Sequence, residues 1–119
     1  MLRLAALLPL IVLAACAAAP APAARCDVTI KFGSYGMGID RPLAEKVAAV
    51  VKADRDVARW ERKPWGREGE YDLCLTASPG RDVKRMYERY RQLLPARNLK
   101  APTSIEGPEG RRFETIGPM

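Results

Sequence analysis

The sequence predicts an α+β domain of ferredoxin-like order, βαββα(β): a small antiparallel sheet with two helices on one face. Three observations point there. Residues 26–34 (CDVTIKFGS) and 70–77 (EYDLCLTA) alternate apolar and polar side chains with the period of half-buried strands. Each is followed by a segment whose apolar residues recur at helical spacing. A glycine-bearing GREG turn at 66–69 precedes the second alternating segment, which is hairpin chemistry and calls for one more strand before it.

Each element has its own local reason. In the first strand Val28, Ile30 and Phe32 point one way and Asp27, Thr29 and Lys31 the other. Glycines 33, 36 and 38 then turn the chain. They match neither G-x-G-x-x-G nor the P-loop pattern, so a tight strand-to-helix turn is expected rather than a phosphate cradle. Asp40 is placed to cap a helix with Pro42 in its first turn, and Leu43, Val47, Val50 and Val51 form its apolar face. Residues 57–65 (VARWERKPW) read as a second strand, with Pro64 marking an edge position. The third strand places Tyr71, Leu73, Leu75 and Ala77 on one face. A second helix is expected over 80–94, started near Ser78-Pro79 and stopped by Pro95, with Val83, Met86, Tyr87, Tyr90 and Leu93 as its stripe. Tyr87, Tyr90 and Trp60 are expected in the core. Residues from about 96 read as loop-rich, and APTSIEGPEG (101–110) reads as loop. A last short strand is expected at 111–116 (RRFETI), completing the order.

The chain has 119 residues, 20 Lys+Arg, 14 Asp+Glu, 3 Cys and no His, for a net charge of +6. Residues 1–15 contain one charge, Arg3, so the remainder keeps 19 basic and 14 acidic residues, a balance of +5. An excess this diffuse names no partner. The missing histidine removes the usual general base and the usual metal ligand. No carboxylates show a spacing that calls for paired acid–base work. A non-catalytic domain without metal or cofactor is expected.

The first residues have a different character. Arg3 is followed by an apolar run, Leu4–Leu13, broken only by Pro9 and ending in Leu13-Ala14-Ala15-Cys16. A basic start, a short apolar region and small residues form the pattern of a secretory signal, and the run is short for a membrane span. The Leu-Ala-Ala-Cys ending resembles the lipobox of bacterial lipoproteins. The resemblance implies cleavage before Cys16 and attachment of acyl chains, palmitate among them, to that cysteine. It further implies a cell-envelope location with the domain facing the periplasm. Ala17, where that family's retention signal carries Asp, implies the outer membrane ahead of the inner one. The alternative is an ordinary signal peptide cut near Ala19, which discards Cys16. Residues 16–25 then form an Ala/Pro tether, and 26–119 the single domain.

In an oxidising envelope the two remaining cysteines, Cys26 and Cys74, are expected to form a disulfide. They lack C-x-x-C redox spacing. Cys26 shares parity with the apolar Val28, whereas Cys74 shares it with Asp72 and Thr76. A bridge therefore requires Cys26 to leave the regular strand.

The expected role is an interaction or structural module, held by membrane lipid through acylated Cys16, that meets an envelope protein. The alternative is a binding module for an anionic envelope ligand, a cell-wall glycan or lipid headgroup. Arginines beside aromatics carry that alternative: Arg59, Arg62, Trp65 and Arg67 in the hairpin and Arg85 and Arg89 on the second helix. No nucleic-acid partner is expected of an exported chain.

Overall fold

The computed structural model describes residues 25–119. The elements run β1 (Val28–Phe32), α1 (Arg41–Ala53), β2 (Val57–Pro64), β3 (Tyr71–Ala77), α2 (Val83–Arg91), β4 (Thr103–Glu106) and β5 (Arg112–Glu114), with one 3₁₀ turn at Pro108–Gly110. The strands form one antiparallel sheet in the order β2-β3-β1-β4-β5. The domain is α+β, as the alternating and helical periods required.

Register follows from the apolar pattern, since a slip of one residue would turn every core side chain to solvent. Val28, Ile30 and Phe32 lie opposite Leu75, Leu73 and Tyr71, and Ile105 lies opposite Ile30. Leu43, Val47 and Val51 of α1 and Met86, Tyr87 and Tyr90 of α2 pack on this same face in one core. The Asp40 carboxylate accepts the Leu43 N–H at 3.2 Å and so caps α1.

Two expectations need correction. Residues 103–106, inside the stretch read as loop, form β4 beside β1. Flanked by Pro102 and Gly107-Pro108, four residues carry too little local signal to be read as a strand. Their order comes from the free edge of β1, onto which Thr103 and Ile105 bury their side chains. The strand expected at 111–116 is present and pairs with β4. It is the three-residue β5, one position further out. The second helix starts at Val83, capped by Asp82 through the Arg85 N–H at 3.2 Å, and not at Ser78-Pro79. The Ser78 hydroxyl donates instead to the Arg55 carbonyl at 3.1 Å.

Cys26 and Cys74 form a disulfide with Cα atoms 5.1 Å apart. The parity conflict is solved before the strand begins. At a bend, the Asp27 N–H donates to the Leu75 carbonyl and the Asp27 carboxylate accepts the Ala77 N–H at 2.8 Å. This brings Cys26 to the face of Cys74, the side of the sheet away from the helices. Cys74 is thus buried although its strand neighbours on that face are polar.

A polar cluster pins α2 to the end of α1. The Arg89 guanidinium donates to Asp54 at 2.8 and 2.9 Å and to Asp56 at 3.1 Å, and the Tyr90 hydroxyl donates to Asp54 at 2.8 Å. Burial by itself would raise the pKa of Asp54. The Asp56 N–H, the Tyr90 hydroxyl and Arg89 more than reverse this and hold the carboxyl below its usual value. Burial and the Asp54 carboxylate together push the Tyr90 hydroxyl far above its ordinary pKa.

Candidate functional site

The six residues expected to form an anion-binding surface are spread over three regions. On β2 the alternation of the strand divides them. Arg59 lies opposite Thr76 on the open face of the sheet, together with Glu61 and Lys63. Arg62, with Trp60, belongs to the helix-covered face, and its guanidinium sits 4.9 Å from the ring centre of Tyr71. Trp65 follows Pro64. Its indole N–H donates to Asp72 at 2.9 Å, and it borders a shallow depression beside Lys31 and Ser104. Arg67 is exposed at the hairpin turn and Arg85 on the outer side of α2. Arg89 is held by two carboxylates and is spent on structure. Cys16 lies outside the described residues.

The glycine loop after β1 is filled by the chain itself. The Ser34 hydroxyl oxygen accepts the N–H groups of Gly36 and Gly38 at 2.9 and 3.0 Å, while its proton goes to the Glu68 carboxylate. The loop amides that a phosphate would need are therefore occupied, and the loop is tied to the β2–β3 hairpin instead. On the hairpin side the Glu70 carboxylate accepts the Glu68 N–H at 2.6 Å. It lies so close to Gly66 that a Cβ there would meet it at 1.4 Å. Glycine is required at this position for space.

A groove of about 560 Å³ lies between α1 and the hairpin. Ala44, Ala48 and Ala49 form its floor on the helix. Arg41, Lys52 and Arg62 bring positive charge and Glu45 and Glu68 negative charge, with Tyr71 as the aromatic wall. Trp60 stands at the end near Val51 and Lys52 and is 42% exposed, contrary to the core position expected for it. β2 is an edge strand, so Trp60 meets Ala48, Val51 and Lys52 of α1 on one side only and is open on the other.

Sequence reasoning took Arg62 into the site but missed Arg41, Ala48 and Lys52. A signal was present: Arg41, Glu45, Ala48 and Lys52 recur at helical spacing, a second stripe beside the apolar face of α1. It shows as a site only when the hairpin is known to stand opposite.

Among the described residues no cluster of His, Cys, Asp or Glu could hold a metal ion, and no helix is long and apolar enough to cross a membrane. No protein-family model matches the chain, and neither a curated protein nor a solved structure matches it.

Proposed function

We propose that this chain is a lipid-anchored protein of the bacterial cell envelope, whose domain acts as a non-catalytic interaction or structural module on the periplasmic side. The observation that carries the reading is the Leu13-Ala14-Ala15-Cys16 box, ten residues ahead of the Cys26–Cys74 disulfide. The bridge supports export, because such bonds persist in oxidising compartments. Two or three acyl chains at about 0.8 kcal/mol per buried CH₂ would anchor the protein stably, and the Ala/Pro tether would hold the domain off the lipid.

The test is mass spectrometry of the N-terminal peptide from purified membranes. A lipid-modified Cys16 at the mature N-terminus supports the proposal, and Cys16→Ser should release the protein from the membrane fraction. An unmodified Cys16, or a mature chain that starts beyond it, rejects the anchor.

One observation favours the second reading, a module for an anionic envelope ligand. In the α1–hairpin groove Lys52 and Arg62 stand beside Tyr71, with Arg41 at the other end of α1 and Glu45 and Glu68 between, and the cations suit a phosphate or carboxylate on a sugar or headgroup. Replacing Lys52 and Arg62 together by Ala should abolish retention on isolated cell wall or on anionic vesicles. Unchanged retention removes this reading and leaves the first.

A further inference from the structure

The outer edge of β2 is unusual for a free edge. Eight residues long, it pairs among the described residues only with β3, and every residue from Ala58 to Pro64 is exposed. Long free edges template pairing with another strand unless something blocks them. Two features limit this one. A register irregularity lies between Val57 and Arg59, and Pro64 lacks an N–H. Between them the edge is regular.

The direction of its hydrogen bonds is known. The Trp65 N–H donates to the Glu70 carbonyl at 3.2 Å, continuing the register Pro64↔Tyr71 and Lys63↔Asp72. In an antiparallel ladder such bonded pairs alternate. Residues 61 and 63 thus bond inward to β3, and the N–H and C=O groups of Trp60 and Arg62 point to the free edge.

We propose that this edge pairs with the same edge of a second copy of the chain, antiparallel about a two-fold axis at Trp60. Charge complementarity selects that register. With Trp60 opposite Trp60 of the partner copy, Arg59 of each chain lies opposite Glu61 of the other on the open face, which makes two reciprocal ion pairs. Neither Arg59 nor Glu61 has an ionic partner within its own chain among the described residues. Centring the axis on Glu61 would set the two glutamates against each other and Arg59 against Lys63. Centring it on Arg62 would pair Glu61 with Lys63 of the other copy, but it would oppose two arginines on the helix side and place Pro64 where an N–H is needed. A two-fold contact must be self-complementary, and of these three registers that at Trp60 alone opposes no like charges; its Trp60–Trp60 pair is regular, while the next bonded pair, Arg62 with Ala58 of the partner copy, falls at the irregularity.

The pairing also accounts for Trp60. Its indole, 42% exposed in one copy, packs on its symmetry mate on the helix side, between the two α1 helices. The sheets of both copies become continuous, and the free edge disappears.

Sedimentation equilibrium of the purified full chain in detergent tests this, with Arg59→Glu, Glu61→Arg and the double exchange. The expected parent species is a dimer. Each single reversal turns both ion pairs into repulsions and should weaken association about tenfold or more. The double exchange restores both pairs and should recover the parent affinity. All three positions lie on an exposed edge, and a thermal melt of each variant confirms its fold. Trp60→Ala, which leaves the charges intact, should weaken the dimer independently. A monomer at every concentration overturns the proposal. So does a dimer indifferent to the single reversals, or a double exchange no tighter than the singles. Association through acyl chains alone would show as that indifference, so the outcome does not depend on the anchor at Cys16.

Discussion

The α2 side of the domain and the β2 side are built from similar residues and end in opposite states. Both are rich in arginine and aromatics. On the α2 side, Tyr90 has no solvent exposure, and Arg89 is held between Asp54 and Asp56. On the β2 side, Trp60 is 42% exposed, and Arg62 meets only the face of the Tyr71 ring and the groove. An arginine becomes structural where the fold delivers carboxylates to it, and stays available where the fold delivers none. An aromatic residue becomes core where neighbours enclose it, and stays surface at a sheet edge that leaves one side open.

Truncations on the two sides should bring out the largest difference. Tyr90→Ala removes a fully buried ring and its bond to Asp54 and should cost about 3–5 kcal/mol. Trp60→Ala, though it removes a larger side chain, should cost less than about 1 kcal/mol in the monomer. Urea unfolding of both variants measures this. Equal losses would mean that the β2 side is as firmly packed as the α2 side.

The disulfide is next in size and belongs to neither side, since it lies on the open face beneath both. It links residues 48 apart in sequence, and its loss should cost about 3–4 kcal/mol in the chain-entropy model. Thermal melts with and without reductant, after alkylation has shown the thiols bridged, measure it. The core of fifteen buried apolar side chains should let the reduced domain still fold. An unchanged melt would remove the structural role of the bond.

The smallest effect is a pH dependence that belongs to the α2 side alone. The pKa of Asp54 is lowered in the folded state, so its contribution is present above the unfolded value of about 3.9 and is lost as pH falls through the lower folded value. Below about pH 4 the parent should lose stability that Asp54→Asn does not have to lose. At neutral pH this variant should already be weaker by about 1–3 kcal/mol, because Arg89 and Tyr90 lose their charged acceptor. Melts from pH 3 to 7 measure both. Parallel curves would show that the cluster is not coupled to the fold.

Much of the scaffold could be read locally. The alternation of Val28, Ile30 and Phe32 and of Tyr71, Leu73 and Leu75 fixes which face of each strand is buried, whatever they pair with. Asp40 and the spacing of Leu43, Val47 and Val51 mark α1 just as firmly. The candidate site was less legible. Arg59, Arg62, Trp65 and Arg67 are neighbours in the chain, but strand geometry sends Arg59 and Arg62 to opposite faces. Arg41 and Lys52, far from Arg62 in sequence, come to share a groove with it.

By itself the sequence determined the periods, the Asp40 cap of α1, the turns and the lipobox-like ending at Cys16, because these depend on residues within a few positions of one another. Only the tertiary structure decided that residues 103–106 are a strand, that Arg89 is consumed by Asp54 and Asp56, and that Trp60 stands at an uncovered edge. Each of those depends on a partner delivered from a distant part of the chain. For β4 the partner is the edge of β1, more than seventy residues away. For Arg89 it is a pair of carboxylates 33 and 35 residues back. For Trp60 it is that, among the described residues, no strand lies beyond β2 in the sheet. Local pattern sets what a segment prefers, and the energy of burial and pairing, which is non-local, sets what it becomes.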